Sequence, residues 1–261
     1  MIAVEAINFN YDGARSDRDA LNIRRNATML VTVPEWRRYQ SATPRDSLAV
    51  YTIKAVRGRP LLIQVMFSSA DKALQTVEIQ VPDMVKSRIV TFIHGTTGFV
   101  QFEVINNSFV RQHVGIWDVT WRWQYRTKPG RRWRRLQTTR HRIYVILDKP
   151  TSPWKQRPNN ATNTQLLWTD ILEFACRWAA GAATKREAAA LITECVYDLG
   201  SHLLTYDCPG GGSSHYSSDR FDATAFLERL YGGLGNGVYV NCSDCAAIVS
   251  TFANALGCNL R

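Results

Sequence analysis

Apolar and polar side chains alternate with a period of two along much of the first half of the chain. Short segments with this alternation, rich in β-branched and aromatic residues, occupy residues 61–67, 76–81, 89–93 and 98–104. A period of two is typical of strands that bury one face and expose the other. Short strands at this regular spacing predict an antiparallel β-sandwich over residues 1–150.

The most regular alternation lies in a stretch of large aromatic residues. One face of this stretch carries Trp117, Val119, Trp121, Trp123 and Tyr125. Polar residues stand between them, and a turn at residues 127–130 leads into a second alternating segment that ends at Leu147. We therefore predict a long hairpin whose aromatic stripe belongs to the core of the sandwich, rather than a platform for stacking bases or sugars.

The period changes to that of helices after a segment rich in proline and asparagine. Residues 151–163 have the composition of a linker. Beyond it, apolar positions three or four residues apart begin at Leu167. Thr184 and Glu187 have the spacing of a capping box, in which each side chain accepts a hydrogen bond from the backbone of the other. We therefore predict a mostly helical domain over residues 164–261, and an α+β protein with two domains.

Composition limits the class of protein. With 45% hydrophobic and 21% charged residues, the chain has the balance of a folded protein rather than a disordered one. No run of about 18 apolar residues is present, so no membrane-spanning helix is expected. The first residues lack the basic start and apolar core of a secretory signal, and a disulfide framework would be unusual without one. We therefore expect a cytoplasmic protein with reduced cysteines and no membrane partner.

The formal net charge of +10 is concentrated in the predicted hairpin. No acidic residue lies between Val119 and Leu147, whereas arginine and lysine occur there repeatedly. The densest cluster consists of Arg131, Arg132, Arg134 and Arg135. Two interpretations stay open. The cluster is either the solvated face of a hairpin, or a binding surface for a polyanion such as nucleic acid or an acidic protein partner.

The most distinctive chemistry lies in the last third of the chain, where all six cysteines occur. Cys242 follows a glycine-rich loop and is predicted to start a helix. The apolar stripe of that helix continues from Cys242 through Ala246, Val249, Ala253 and Leu256. Unpaired N–H groups and the helix dipole at such a position favour a thiolate, so we predict a reactive thiol. Cys245, one turn further along, is expected to be more deeply packed and less reactive.

The residues Cys242-Ser243-Asp244-Cys245-Ala246 and the later pair Leu256-Gly257 resemble the nucleophile helix of the transglutaminase-like superfamily of papain-like cysteine enzymes. In that family a cysteine begins the helix, and an aromatic residue stands where this chain has Cys245. The resemblance covers roughly residues 165–261 and implies the helical, N-terminal half of a transglutaminase-like fold. It also implies that Cys242 attacks a peptide or side-chain amide and forms a thioester, as in a cysteine protease, an amidase or an acyltransferase.

The family places a histidine and an acidic residue on strands after the cysteine helix, and neither is found after Cys258. Three explanations stay open. The catalytic domain is truncated and continues beyond residue 261, or the helix is the remnant of a catalytic site in a non-catalytic binding module. Alternatively, a histidine upstream of Cys242 acts as the base, as in circularly permuted papain-like families. His215, in the glycine- and serine-rich loop ahead of Cys242, is the candidate base for that case.

A metal site is the remaining chemistry to consider. Cys242 and Cys245 have the spacing of half a zinc knuckle, which Cys208, Cys258 or His215 could complete. No second pair of cysteines or histidines has ligand spacing, so we expect neither a metal nor another cofactor. The sequence thus predicts a cysteine enzyme acting on protein or peptide substrates. The alternative is a non-catalytic binding module that uses the basic hairpin.

Overall fold

The computed structural model describes residues 1–11, 18–58, 60–105, 113–155, 165–207 and 214–260. The chain forms two compact units, and each unit draws on separate stretches of the sequence. Unit 1 contains residues 1–22, 31–111 and 117–144, and unit 2 contains residues 23–30, 112–116 and 145–261. Most of the predicted linker at 151–163 lies outside the described residues.

Strands are distributed along the whole chain, whereas the longer helices occur in its last third. The strands are β1 (Ile2–Asn8), β2 (Ile23–Arg24), β3 (Trp36–Arg37), β4 (Leu48–Thr52), β5 (Leu61–Ser69), β6 (Thr76–Val81), β7 (Val85–Thr91), β8 (Thr96–Val104), β9 (Gly115–Arg126), β10 (Arg134–Ile146), β11 (Leu167–Trp168), β12 (Thr205–Tyr206) and β13 (Tyr239–Val240). The helices are α1 (Ile53–Gly58), α2 (Thr169–Trp178), α3 (Lys185–Asp198), α4 (Ala223–Leu230) and α5 (Cys242–Ala255). Short 3-10 turns occupy Pro44–Asp46 and Leu199–Ser201. In the described part of the chain, none of these helices has the length and apolar run needed to span a bilayer.

Unit 1 is built on a single sheet. Within the described residues, nine strands follow one another in the order β3-β1-β5-β8-β7-β6-β9-β10-β4. The predicted β-sandwich is therefore wrong, because these strands share one nearly closed sheet instead of two facing sheets. Strand length explains the difference. The strands β9 and β10 have 12 and 13 residues, and long strands accumulate the twist that curves a sheet around its own core.

The aromatic stripe of β9 contributes to the core of unit 1, as predicted. Trp121 and Trp123 are fully buried, while Arg122 between them is exposed. The ring of Trp123 lies edge-to-face against the rings of Phe67 and Phe102, with centroids 5.7 and 5.9 Å away. Each aromatic pair of this geometry adds about 0.5–1.5 kcal/mol beyond the area that it buries. The hairpin of β9 and β10 is thus anchored by packing.

His141 on β10 is a packing residue of the same core. Its Nδ1 lies 2.7 Å from the hydroxyl of Ser47, and its Nε2 lies 2.8 Å from the hydroxyl of Thr139. Burial lowers the pKa of the imidazole to about 3, so the ring is neutral at physiological pH. Its contact with the Trp121 ring, at a centroid distance of 4.7 Å, completes an enclosed environment.

Unit 2 contains four of the described helices, α2 to α5, with 10, 14, 8 and 14 residues. These helices hold fewer than half of the residues of unit 2, and among the described residues strands account for 35% and helices for 24%. The prediction of a mostly helical second domain, and of the helical half of a transglutaminase-like fold, is therefore wrong. Glycine and proline disfavour helix in the long connections, and extended segments pair in parallel instead, β2 with β11 and β12 with β13.

Capping and apolar burial fix the helices of unit 2. The predicted capping box of α3 is confirmed: Thr184 Oγ1 accepts from the Glu187 N–H at 3.2 Å, and the Glu187 carboxylate accepts from the Thr184 N–H at 3.1 Å. In the second half of α5, the ring of Phe252 is fully buried against Trp178 and Phe226, at centroid distances of 4.7 and 5.8 Å. Burial of a large apolar side chain contributes about 1.5–3 kcal/mol, which secures this half of α5.

Candidate functional site

Helix α5 begins at Cys242, and a reciprocal pair of hydrogen bonds holds its first turn. The side-chain oxygen of Asn241 accepts from the Asp244 N–H at 3.0 Å, and the Asp244 carboxylate accepts from the Asn241 N–H at 3.1 Å. This is a capping box with asparagine as the N-cap and aspartate at the third helical position. The start of the helix is therefore set by the two residues that flank the cysteine.

Asp244 also binds a second stretch of the chain. Its carboxylate accepts from the His215 N–H at 3.0 Å, from the Tyr216 N–H at 2.9 Å and from the Ser217 hydroxyl at 2.8 Å. The side chain is completely buried. Burial opposes ionisation, but the hydrogen bonds outweigh it and hold the pKa of Asp244 below its usual value of 3.8. One ionised carboxylate thus ties residues 215–217 to the start of α5.

His215, the predicted candidate base, lies beside the start of α5. Its backbone nitrogen and that of Asn241 both donate to Asp244 Oδ2, so the two nitrogens are at most about 6 Å apart. Its imidazole ring faces the ring of Tyr239, with centroids 6.1 Å apart. Within the described residues no hydrogen bond joins this imidazole to the Cys242 thiol.

The thiol of Cys242 is exposed at the first position of α5. The backbone N–H groups of Cys242 and Ser243 have no acceptor within the described residues, as is usual in the first turn of a helix. Such N–H groups can hold the negative oxygen that forms when a carbonyl is attacked. The arrangement suits nucleophilic attack by a thiol that substrate can reach.

The predicted apolar stripe of α5 is buried over only part of its length. Ala253 and Leu256 are fully buried, whereas Ala246 is exposed and Val249 is half-buried. In its first turns the helix buries a different face. Cys242 was expected to lie where a buried stripe begins. This expectation is wrong, because the thiol lies at the end of a helix face that is not covered by protein in the first turns of α5.

A cavity of about 830 Å³ adjoins this open face. Helix α5 contributes Cys245, Ala246 and Val249, which are three, four and seven residues beyond Cys242 and therefore share its face. Other walls come from α3 and from the segments that follow it, and they include Val196, Asp198, Leu204 and Val240. The sequence does not reveal this cavity, because the same apolar spacing is expected of a stripe that is covered by protein.

Within the described ranges, the remaining cysteines are not grouped with other metal-ligating side chains. Cys245 is half-buried, and burial raises its pKa, with nearby Asp244 and Cys242 adding to the effect. The five cysteines in the described ranges are all free, and no cluster of metal-ligating side chains occurs there. Cys258 follows the opposite end of α5, more than about 20 Å along the helix from Cys242. Cys208 lies outside the described residues.

The four predicted binding arginines lie at the tip of the β9–β10 hairpin in unit 1. Their side chains are exposed, and none of the four forms an ion pair within the described residues: Arg131, Arg132, Arg134 and Arg135. Two other arginines of the hairpin are paired: Arg126 donates to Glu78 at 2.5 Å, and Arg142 donates to Asp118 at 2.8 Å. The densest part of the basic patch is thus left without acidic partners in the described part of unit 1.

The sequence around Cys242 does not identify Asn241 and Asp244 as the residues that position it. The sequence does indicate their role in capping the helix, because Asn-x-x-Asp ahead of an apolar helix has capping-box spacing. The contacts of Asp244 with residues 215–217 join positions 27 to 29 residues apart, and no local pattern indicates them. The positioning role of this carboxylate is therefore a finding of the structure.

Comparison with known proteins adds no further assignment. No model of a protein family matches the chain. A search of curated proteins finds no match either. The case for function therefore depends on the geometry and chemistry of the two regions described above.

Proposed function

We propose that the chain is a cysteine enzyme that transfers acyl groups from peptide or side-chain amides, with Cys242 as the nucleophile. One observation carries the proposal: an exposed thiol at the first position of α5, beside two N–H groups without acceptors in the described residues. Helix starts of this kind can stabilise a developing oxyanion. The exposure of the thiol leaves room for a substrate carbonyl.

His215 is the candidate base in this proposal. Asp244 fixes its backbone near Asn241, and the side-chain amide of Asn236 donates to its carbonyl oxygen at 2.9 Å. The backbone of His215 is thus held near the residue that precedes Cys242. Imidazole is the side chain best suited to take up a proton near neutral pH. In this arrangement Asp244 positions the backbone and makes no hydrogen bond to the imidazole.

The proposed reaction proceeds in two stages. The thiol proton passes to His215, the sulfur of Cys242 attacks the carbonyl carbon, and the new S–C bond replaces the C–N bond. The protonated histidine gives its proton to the leaving amine. Water or a second amine then attacks the thioester, which releases an acid or a new amide and restores the thiol. The N–H groups at the start of α5 hold the negative oxygen in both stages.

Trapping the thioester tests the proposal. The chain is incubated with a blocked glutamine dipeptide and hydroxylamine, hydroxamate is quantified, and acid-quenched protein is examined by mass spectrometry for acylation of Cys242. The substitution Cys242→Ala should abolish both signals, whereas Cys245→Ala, which removes a thiol one turn away, should retain them. Loss of the base in His215→Ala should slow hydroxamate formation by about 10²- to 10⁴-fold. A wild-type chain that is never acylated at Cys242 contradicts the proposal.

Polyanion binding by the β9–β10 hairpin is a second candidate function, favoured by an independent observation in unit 1. Four arginines at the hairpin tip are exposed and lack acidic partners in the described residues, as reported above. Clustered guanidinium groups attract phosphates and release the counterions around them, which makes affinity depend on salt concentration. Single-stranded RNA is a suitable probe, because it carries one phosphate per nucleotide.

A charge-matched pair of variants tests this second candidate. The hairpin variant replaces Arg131, Arg132, Arg134 and Arg135 with serine. The control variant replaces four exposed basic residues elsewhere, Lys54, Lys155, Arg186 and Arg220, so its net charge is the same. The negative slope of log affinity against log salt concentration should become shallower by about 3 in the hairpin variant and change little in the control. Equal losses in both variants would assign the binding to net charge and refute a role for the hairpin.

A further inference from the structure

The cavity in unit 2 begins one helical turn from the proposed nucleophile. Its wall on α5 consists of Cys245, Ala246 and Val249, on the same face of the helix as Cys242. Residues three or four apart on a helix have Cβ atoms about 5–6 Å apart, so a group attached to Cys242 lies next to the cavity. The volume of about 830 Å³ falls within the range of small-molecule sites in proteins.

The described walls of the cavity are mostly apolar and carry no positive charge. Val196, Leu204 and Val240 supply aliphatic surface. The charged group among the described lining residues is Asp198, which forms no ion pair in the described part of the chain. Asp198 is the last residue of α3, where the negative end of the helix dipole disfavours a carboxylate. The 3-10 turn Leu199–Ser201 follows directly, and the Asp198 side chain accepts no capping hydrogen bond from it.

We infer that the cavity binds an uncharged apolar side chain of the amide substrate, adjacent to the carbonyl that Cys242 attacks. The inference rests on the proposed cysteine chemistry and names the substrate class for it. A large apolar side chain displaces water from the aliphatic walls, which alanine is too small to do. An acidic side chain brings its carboxylate toward Asp198, with no cation in the described lining to offset the repulsion.

The expected selectivity follows from the size of the buried group. A substrate with phenylalanine next to the reacting amide should exceed one with alanine by about 10- to 100-fold in kcat/KM. A substrate with glutamate at that position should be the poorest of the three. The Asp198→Asn variant should narrow the discrimination against glutamate and leave the preference for phenylalanine over alanine unchanged.

Binding is measured first on the Cys242→Ala chain, which cannot be acylated at position 242. The probes are N-acetylphenylalaninamide, N-acetylalaninamide and the corresponding glutamate amide, titrated by NMR. The phenylalanine probe should bind at least about 10-fold more tightly than the others. Adding Ala246→Trp should weaken that binding at least about 10-fold by filling the cavity, whereas Ala190→Trp, at an exposed α3 position outside the described lining, should not. Equal binding of all three probes, or equal effects of the two tryptophans, overturns the inference.

Turnover by the wild-type chain separates this inference from the proposed function. Hydroxamate formation is compared for blocked Phe-Gln, Ala-Gln and Glu-Gln dipeptides. A reaction that requires Cys242 but ignores the neighbouring side chain leaves the proposed function standing and overturns the inference. Selective probe binding without acylation of Cys242 refutes the proposed acyl transfer, while the binding preference of the cavity stands.

Discussion

Each unit contains a buried carboxylate, and the pKa values of these two carboxylates are shifted in opposite directions. In unit 1, burial raises the pKa of Glu35 to about 8. In unit 2, Asp244 is also buried, yet its pKa is lowered. Removal from water is therefore common to both groups, and it does not decide which of them is ionised at neutral pH.

The difference lies in what surrounds each carboxylate. Glu35 accepts from the Phe9 N–H at 2.8 Å and from the Asn10 N–H at 3.1 Å, while the nearby charge of Asp19 opposes its ionisation. Asp244 accepts from three backbone N–H groups and a hydroxyl, in the first turn of a helix whose dipole favours a negative charge. The number of donors and the sign of nearby charges thus set the ionisation state of a buried acid.

The largest expected effect is on the pH dependence of stability through Glu35. Its pKa rises from 4.5 to about 8 on folding, so the native state keeps a proton that the unfolded chain has lost. The stabilisation is complete below about pH 4.5 and is lost as pH rises through 8, at a cost of about 5 kcal/mol in the free energy of unfolding. Glu35→Gln should remove this decline in urea titrations at pH 5, 7 and 9. The exposed control Glu228→Gln should keep it, and a decline that persists without Glu35 would refute the assignment.

A somewhat smaller effect is expected for Asp244→Asn. The carboxylate now accepts hydrogen bonds from backbone N–H groups, and the NH₂ group of asparagine would face some of these donors. This should lower the free energy of unfolding by about 3 kcal/mol at pH 7. Backbone amides of His215 and Tyr216 should exchange with solvent faster, as measured by NMR. Asp222→Asn is the control, because Asp222 is an N-cap that accepts from Ala225 and asparagine caps equally well. Equal costs for both substitutions would make Asp244 an ordinary cap.

The lowered pKa of Asp244 adds a test with the opposite sign to that of Glu35. The stability it contributes is present above its usual value of 3.8 and is lost as pH falls through the lowered value. The difference in unfolding free energy between the wild-type chain and Asp244→Asn should therefore shrink in strongly acidic buffer. A difference that grows on acidification would contradict an ionised carboxylate at this position.

Replacing the N-cap should have a moderate effect. Asn241→Ala removes the acceptor for the Asp244 N–H but leaves the carboxylate and its other donors, so a loss of about 1 kcal/mol is expected. Asn241→Ser retains an acceptor and should cost much less. Thermal or urea unfolding distinguishes the two variants. If both lose as much stability as Asp244→Asn, the cap and the carboxylate act as one unit and the separate role of the carboxylate is refuted.

The smallest effect is expected from removing one donor to Asp244. Ser217→Ala deletes the hydroxyl that lies 2.8 Å from the carboxylate, which should cost at most about 1 kcal/mol and move the pKa of Asp244 upward. Carboxyl chemical shifts in an NMR titration report that movement directly. Ser218→Ala, an exposed neighbour, is the control. An unchanged titration in Ser217→Ala would show that the backbone donors alone determine the ionisation of Asp244.

Features that depend on local spacing could be predicted from the sequence. The alternation around Trp121 and Trp123 identifies a hairpin with a buried face, because side chains of a strand point to opposite sides in turn. The spacing of Thr184 and Glu187 identifies the start of α3 for an equally local reason. The helix predicted from Cys242 onward is α5, which spans Cys242–Ala255.

Features that depend on contacts between distant residues could not be predicted in this way. Alternating strands give the same pattern whether they form two facing sheets or one nearly closed sheet, since the pattern records only which face is buried. The spacing of the apolar residues Ala246 and Val249 is likewise the same whether they pack against protein or line a cavity. Glu35 meets its donor Phe9 across 26 residues, and nothing in the sequence near either residue indicates the contact.

Cys242 contributes no side-chain hydrogen bond to the structure in the described part of the chain, although its neighbours at 241 and 244 make many. Position 242 should therefore accept serine, selenocysteine or an attached fluorophore without loss of folding. A fluorophore attached there would report the binding of molecules near the start of α5, and the fold should be unchanged by the labelling. The chemistry of this position can thus be exchanged independently of the scaffold that presents it.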